Sequence, residues 1–358
     1  MLRKNPFSAI GHIFRQVNDS KLTQTYFPEE KLKSRWSIIL DHLVWLVRHK
    51  EVNRYYFIYG LDRKKSTATQ DVLPYNEFRR IRDKTNLKPA GKNFNYASLL
   101  RDKFLFGQYL TSLKFPTPRN IALLEKGNIT WLSDMRTEPL SALNNTDEDI
   151  DGFCKQLTGL MGEGAFPLRI SGGKIYTGEK EISTDELHSK INGQYLWQER
   201  IIQHEKMSAL HPSSVNTIRL ISFNNNNRIE IFSGTLRVGA KSNRVDNWNA
   251  GGIAFGIDLP TGRVRRKGVY KPGYGTGVEV HPDSGIRLEG FQIPFFEESM
   301  ALTKRLHEYF YGTHSIGWDL ALTPQGPVFV EGNDDWDGCM PMSLEENFKN
   351  RFLKMYDR

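Results

Sequence analysis

An α+β fold is what this 358-residue sequence predicts, and three observations carry the prediction. Its first hundred or so residues hold stretches in which apolar residues recur at three- and four-residue steps, the period of a helix that buries one face. From Trp197 onward, short apolar and β-branched runs are separated by turn residues, the signature of strands and hairpins. Helices and strands come in groups instead of alternating, so a regular parallel βαβ sheet is not indicated. The length exceeds one ordinary core and implies several lobes. We divide them into an N-terminal region over 1–95, a small lobe with its preceding linker over 96–196, and a large lobe over 197–358.

The first helix expected is "PEEKLKSRWSIILDHLVWLVRHKEV" (28–52). Pro28, Glu29 and Glu30 suit its start, and Arg48, His49 and Lys50 its end. Trp36, Ile39, Leu43, Leu46 and Val47 form one stripe, which either packs on its own domain or lies on an anionic membrane. "NYASLLRDKFLFGQYLTSLKFPTPRNIALL" (95–124) reads as a helix ended before "FPTP", then a strand from Asn120 to Leu124. The polar "NNTDEDIDG" (144–152) loops or caps a helix, and short strands with several glycines follow to Trp197. Beyond it, "SVNTIRLISF", "RIEIFSGTLRVG", "GGIAFGIDLPTGRVRR" and "SIGWDLALTPQGPVFVEGN" are strand-like, with turns at "NNNN", "LPTG" and "TPQG". "PFFEESMALTKRLHEYF" (294–310) is a helix between the last two groups. "SLEENFKNRFLKMY" closes the chain as a helix opened by a capping box, Ser343 to Glu346.

Composition narrows the function. With 39% hydrophobic and 25% charged residues the chain is an ordinary soluble globular protein. A net charge of +8 suits an anionic partner: nucleotide phosphates, nucleic acid, an acidic sugar or a membrane surface. Two cysteines, Cys154 and Cys339, build no disulfide framework, which points to a reducing compartment, the cytoplasm. The N-terminus has no secretory pattern, and no apolar run approaches the roughly 20 residues that span a bilayer. There is no HExxH, no cysteine pair, no GxSxG elbow, no Walker loop, no GxGxxG after a strand and no nucleic-acid-binding motif.

The most informative stretch is "IGWDLALTPQGPVFVEGN", from Ile316 to Asn333, which reads as a hairpin around Thr-Pro-Gln-Gly. Glu331 and Asn333 are two apart on a strand and share a face, with Phe329 beside them by the same parity. A three-residue turn, with Pro324 and Gln325 in type I geometry and Gly326 left-handed, sets Thr323 against Pro327. Counting outward places Asp319 opposite Glu331. Two facing carboxylates repel, and a hard cation between them removes the problem. Asp, Glu and Asn offer only oxygen, which favours Mg²⁺ or Mn²⁺ over zinc. Spacing alone leaves open a solvated hairpin with a chance acidic pair. The "DDWDG" that follows is either a further contact or the loop that leaves the site.

A Mg-nucleotide site also needs fixed positive charge and backbone donors. "FCKQLTGLMGEGAF" (153–166) offers Lys155 at a strand end, then Gly159, Gly162 and Gly164, whose backbone can approach phosphate oxygens. Lys103 in "RDKFLF" is a second candidate, against the alternative of a solvated helix lysine. Arg219 in "NTIRLISF" and Arg237 in "SGTLRVGAK" stand on strands, which suggests an anion or a buried carboxylate partner; a solvated outer face is the alternative.

Taken in order, "DKFLFGQYLTSLKFPTPRN", "LWQERIIQHEKMSALHPSSVNTIRLISF", "LRVGAKSNRVDNWNAGGIAFGIDLPTG", "HPDSG…GFQIPFF" and "IGWDLALTPQGPVFVEGN" resemble the ATP-grasp superfamily, and within it the sugar-transfer-associated branch. The resemblance covers roughly 95–345, and "YYFIYGLD" extends it loosely toward the N-terminus. It implies two α+β lobes clasping ATP. Asp319, Glu331 and Asn333 fall on magnesium ligands, and Lys103 and Lys155 on phosphate-contacting lysines. Residues 159–164 fall on the loop over the phosphates, and "QERII" on the hinge. There Glu199 would meet the adenine amino group and the backbone near Ile202 the ring, with His204 or Glu205 at the ribose. Arg219 and Arg237 would face the transferred phosphate or the acidic substrate. Three departures stand out: Gln156 where proline is usual, a loop with fewer glycines, and Gly317-Trp318 where many relatives place a basic residue before the first metal ligand.

The function expected is an ATP- and magnesium-dependent carboxylate–amine ligase acting through an acylphosphate. The resemblance implies that an amino acid or similar amine is joined to an acidic sugar or sugar nucleotide in surface polysaccharide biosynthesis. In "RVDNWNAGGIAFGID", Asp246, Asn247, Trp248 and Asn249 combine hydrogen-bonding groups with an aromatic ring, as a sugar site does; a plain glycine-rich turn is the alternative. Lys241 and Arg244 lie close enough in sequence to hold an anionic sugar. A kinase passing phosphate to a hydroxyl keeps the fold and changes the product, and a basic non-catalytic binding protein is the reading from another class.

Overall fold

The computed structural model describes residues 6–66, 72–87, 95–159, 164–226 and 228–356. Helices α1 (Pro6–Asn18), α2 (Arg35–His49) and α3 (Tyr75–Asn86) form the N-terminal region. Helix α2 starts at the Ser34 cap, whose hydroxyl accepts the Ser37 N–H, and not at Pro28. The preceding residues are drawn into other pairing: Lys33 N–H donates to the Asp62 carbonyl and Lys64 N–H to that of Lys31. Its orientation also departs from the expected stripe. Ile39, His42 and Trp45 are buried, while Trp36 and Val47 are 79% and 81% exposed. The inward face joins a core of Tyr26, Trp45, Tyr56, Trp248, Ala254, Val269 and Met340, which fastens this region to the C-terminal half. The Tyr26 hydroxyl donates to the Tyr270 and Gly275 carbonyls there.

Helices α4 (Ala97–Arg101) and α5 (Lys103–Ser112) follow. Then comes an antiparallel sheet of β1 (Asn120–Glu125), β2 (Asn128–Trp131), β3 (Thr137–Pro139), β4 (Ile150–Gln156), β5 (Phe166–Ser171), β6 (Lys174–Thr177), β7 (Lys180–Ile182) and β8 (Tyr195–Glu199), with helix α6 (Thr184–Lys190) before β8. The strand order is β3-β2-β1-β8-β4-β5-β6-β7. Its core is Leu124, Ile129, Leu168, Ile170 and Trp197. Residues 200–204 leave β8 and reach the second half, where His204 N–H donates to the Leu322 carbonyl and the short helix α7 (Glu205–Ser208) begins.

The second sheet contains β9 (Thr217–Asn225), β10 (Arg228–Val238), β11 (Ile253–Asp258), β12 (Arg263–Tyr270), β13 (Gly277–Val278), β14 (Ser315–Thr323) and β15 (Gly326–Asn333) in the order β13-β12-β11-β10-β9-β14-β15. Helix α8 (Phe296–His307) covers it. Leu100, Phe106 and Leu110 share a core with Ile218, Leu220, Trp318 and Phe329, so α4 and α5 pack on this sheet although they precede the first one in sequence. The end of the chain is two helices, α9 (Cys339–Leu344) and α10 (Phe348–Lys354). The expected capping box is absent: the Ser343 hydroxyl donates to the Met340 carbonyl inside α9, and Asn347, at φ 53°, starts α10. Between them Glu345 is held by Ser233, Arg265 and Arg351, which breaks the helix there.

Beneath the sheet a polar chain is threaded through the core. Trp318 Nε1 donates to Ser222 Oγ, which lies 2.7 Å from His307 Nδ1, and His307 Nε2 lies 2.9 Å from the Thr313 carbonyl. Both ring nitrogens are satisfied by a neutral imidazole, and burial pushes the His307 pKa down to about 4. The unfolded chain therefore binds a proton that the folded chain refuses between the ordinary histidine range and pH 4. Stability should fall by about 2 kcal/mol from pH 7 to pH 5 on this account. Urea midpoints across that range should drop steeply in the native protein and less steeply in His307→Gln; equal slopes would remove His307 as the cause.

Candidate active site

The β14–β15 hairpin sets Asp319 opposite Glu331 and Gly317 opposite Asn333, as expected, but by a different count. Thr323 pairs with Gly326, not Pro327, so the loop is only Pro324-Gln325. A bulge between the Leu320–Phe329 and Asp319–Glu331 pairs leaves Val330 extra and restores the expected opposition. The bulge also reverses parity, so Phe329 does not share the carboxylate face. It lies fully buried on the other side, its ring 5.7 Å from that of Trp318.

Asp319 is held tightly. Arg219, its cross-strand neighbour on β9, donates from Nε to Oδ1 and from Nη2 to Oδ2, each at 2.7 Å. Arg237 Nη2 lies 3.0 Å from the same Oδ2. Arg237 also donates to Thr217 Oγ1, whose hydroxyl donates to Asp246 at 2.5 Å, and its Nε is 3.5 Å from that carboxylate. Burial opposes ionisation of Asp319, but the two arginines overcome it and hold its pKa below the usual carboxylate range. Burial likewise opposes the Arg219 charge, and Asp319 more than offsets it. Asp246 is raised by burial, against the pull of Arg237.

Glu331 is the contrast. Among the described residues its carboxylate accepts no hydrogen bond and forms no ion pair. Burial first, then the facing Asp319 carboxylate, push its pKa up, while Lys103, Arg219 and Lys155 pull it down. A half-buried carboxylate without a hydrogen-bond partner is a site waiting for a positive charge. Asn333 fits the same role, because its Nδ2 donates to the Gly317 carbonyl at 3.2 Å and leaves Oδ1 for another ligand. Three arginine contacts still leave Asp319 Oδ1 one lone-pair direction. The donor set is all oxygen, which fits Mg²⁺ or Mn²⁺.

Two lysines reach this place, Lys155 from the other sheet and Lys103 from the start of α5. Lys155, on β4, interacts electrostatically with Glu331 and Lys103; burial first, then Lys103, lower its pKa to about 8 against the pull of Glu331. Lys103 is no solvated helix residue, since its Nζ donates to the Gly159 carbonyl at 2.7 Å. Gly164 takes φ +68°, and a Cβ there would come within 2.8 Å of the Tyr195 hydroxyl. Gly162 lies outside the described residues. Gln156, at the position where proline was expected, hydrogen-bonds the Tyr195 hydroxyl. The missing basic residue at Gly317 has a steric reason: a Cβ there would lie 2.8 Å from Trp336 Cβ, and Arg219 supplies the charge from the neighbouring strand.

Of the hinge residues, Glu199 is exposed at the end of β8 and its N–H donates to the Arg119 carbonyl. Ile202 is exposed, His204 caps α7 by accepting the Lys206 N–H, and Glu205 is exposed on that helix. The suggested sugar surface is corrected. Trp248 is buried, stacks on Tyr55 at 6.1 Å and donates to the Val269 carbonyl, so its ring faces the N-terminal region. Asn249 Oδ1 accepts from Lys271, Asn247 Oδ1 caps the turn at Asn249, and Lys241 N–H donates to Asp283. Arg244 is exposed, with its guanidinium near Gly178 of the first sheet.

Thr217, which links Arg237 to Asp246, was missed, although it lies two residues before Arg219 on the same strand face. "DDWDG" proves to be the exit from the hairpin: Asp334 is buried under a bidentate pair with Arg101, Trp336 is buried, and Asp337 accepts the Cys339 N–H.

Two antiparallel sheets joined by a short crossing segment, with Lys155 of the first and Lys103 of α5 beside the Glu331 carboxylate of the second, make this an ATP-grasp fold. Residues 82–355 match the family described as sugar-transfer associated ATP-grasp, and the chain belongs to that family. No curated protein matches it by sequence. Among solved structures it is similar to D-alanyl-alanine synthetase A from Vibrio cholerae, at 12% identity and TM-score 0.41 over 72% of this chain and 64% of that one. D-alanine–D-alanine ligase from Helicobacter pylori gives 13%, 0.40, 72% and 58%. L-amino acid ligase from Bacillus licheniformis gives 12%, 0.37, 69% and 44%. The chain spans less than two thirds of the length of these proteins, and the likeness is one of chain path alone. No helix among the described residues is long and apolar enough to cross a membrane.

Proposed function

We propose that this protein is an ATP-dependent carboxylate–amine ligase. The observation that carries the reading is the Glu331 carboxylate, without a hydrogen-bond partner among the described residues, opposite Asp319 and beside Asn333, near Lys103 of α5 and Lys155 of the other sheet. The residues fit a divalent cation, with Asp319, Glu331 and Asn333 as its ligands. When bound, Mg²⁺ or Mn²⁺ offsets the charge of the nucleotide phosphates. Lys103 and Lys155 hold those phosphates; of the 159–164 loop expected over them, 160–163 lie outside the described residues. The backbone from Glu199 to Ile202 takes the adenine, and His204 or Glu205 the ribose. Of the lobes proposed from the sequence, 96–196 and 197–358 behind the 1–95 region, the first gains the rest of β8 and cedes α4 and α5, which pack on the second sheet.

The carboxylate oxygen of one substrate attacks the γ-phosphorus and ADP departs, leaving an acylphosphate. The amine then forms the new carbon–nitrogen bond, phosphate leaves with the acyl carbon's former bond, and the surplus amine proton passes to solvent. Nη1 of Arg219 and of Arg237 makes no hydrogen bond among the described residues, and these donors suit the acyl oxyanion. Lys241 and Arg244, the two exposed cations of the 241–249 segment, border the acceptor side. The family's description, sugar-transfer associated, supports a sugar as one substrate; we extend this to an acidic sugar or sugar nucleotide joined to an amino acid or related amine in polysaccharide biosynthesis.

Phosphate release should be measured with amino acids against uronic acids and their nucleotide-linked forms. Release only when both substrates are present supports the ligase; ADP formation without free phosphate would show a kinase instead. Lys155 gives a second check. It is charged below its pKa of about 8 and loses that charge as the pH rises. Affinity for ATP, measured by calorimetry, should therefore weaken as pH passes 8 in the native protein. In Lys155→Arg the weakening should move to higher pH, and Lys155→Gln should bind about tenfold or more weakly at pH 7. A flat profile in the native protein would remove Lys155 from the nucleotide site.

A further inference from the structure

We propose that the exposed apolar face of α2, with the basic pocket at its C-terminal end, docks the protein on an anionic bilayer surface. On α2, Trp36, Leu40, Val44 and Val47 are 79%, 61%, 54% and 81% exposed. Their steps of four, four and three residues make one stripe about 16 Å long. Single exposed apolar residues are ordinary, whereas a contiguous stripe of large ones marks a contact surface. Helix α1 packs beside it through Ile13 and Val17 against Ile39, and exposes Ile10 and Phe14 as well. This is a different face from the one periodicity suggested, because Ile39, Leu43 and Leu46 turn toward α1.

Charge selects the occupant. A pocket of about 400 Å³ is lined by Arg48, His49, Pro74, Asn76, Glu77 and Arg80, and Arg48 directly follows the exposed Val47. Helix α1 carries Arg15 and no acid; α2 carries Arg35, Arg48 and one acid, Asp41, which Lys33 and Tyr56 already hold. Helix α3 adds exposed Arg79, Arg80 and Lys84. In a two-fold contact with a second copy, Arg48 of one α2 would meet Arg48 or Arg35 of the other, so like charges would face each other. Phosphodiester headgroups complement the same cations while the stripe enters the acyl boundary, as interfacial helices do. The inference is independent of the ligase reading.

The test is co-sedimentation of the full chain with phosphatidylcholine vesicles, with and without phosphatidylglycerol, at low and high salt. Binding is expected on the anionic vesicles only, weakened by salt. Leu40→Glu with Val44→Glu should lower the bound fraction about tenfold or more. Arg48→Glu with Arg80→Glu should lower it about tenfold. An unchanged melting temperature and unchanged far-ultraviolet circular dichroism would show that both variants stay folded. Failure to bind either vesicle, equal binding to neutral vesicles, or full binding by the Leu40/Val44 variant would overturn the proposal. A native dimer made monomeric by that variant, without vesicle binding, would assign the face to a second copy.

Discussion

Glu331→Gln is expected to stop turnover while making the ligand-free protein more stable. The side chain has no hydrogen-bond partner among the described residues and faces Asp319 across the hairpin. Its pKa is raised by burial and by that carboxylate. An acid whose folded pKa lies above its unfolded value loses stability as pH rises through the folded value. Ionised Glu331 is therefore a cost to the empty protein at pH 7, and a neutral amide of the same shape removes it. We expect a gain in stability at neutral pH that vanishes as the pH falls below the ordinary carboxylate range. Turnover should drop about a thousandfold or more, because a cation ligand is lost where phosphoryl charge must be offset. Magnesium with a non-hydrolysable ATP analogue should raise the melting temperature of the native protein and raise that of the variant far less. A variant that turns over at near-native rate sinks the cation site. One that unfolds early shows that Glu331 is structural.

Residue chemistry and order made the metal-facing carboxylates legible in the sequence, while three-dimensional pairing decided their partners. Asp319, Glu331 and Asn333 could be picked out because acids are conspicuous on strands this apolar. The opposition of Asp319 and Glu331 came out right through two offsetting departures, a shorter turn and a bulge at Val330, and Phe329 shows the parity error between them. Arg219 and Arg237 were visible as arginines on strands, but nothing local could say that both would close on Asp319. That depends on β9 lying between β10 and β14, a neighbourhood set by chain path across a hundred residues. Trp248 misled because an aromatic among amides reads as a sugar platform until Tyr55, from the N-terminal region, is found against it. Helix α2 shows the same limit: periodicity located an amphipathic helix, and only packing against α1 fixed which side faces out.

Asp319→Asn should also abolish turnover, but for a different reason, and it should destabilise the fold by about 3–5 kcal/mol. Its carboxylate takes two hydrogen bonds from Arg219 and one from Arg237, and both guanidinium groups are largely enclosed by the sheet. An asparagine offers one acceptor oxygen and turns an NH₂ toward cationic donors, so Arg219 loses its paired carboxylate and Arg237 is left with Asp246 alone. The pH dependence carries the sign. The arginines depress the Asp319 pKa, so its stabilising contribution is complete above the unfolded carboxylate value and is lost as pH falls through the lower folded value. The gap in urea midpoint between native protein and variant should be widest near neutrality and should close in acid. Adding Arg219→Met to Asp319→Asn should recover part of the loss, because removing both members of a buried pair costs less than stranding one. If Asp319→Asn unfolds at the native midpoint, the arginines do not depend on this carboxylate, and its place in the site rests on cation binding alone.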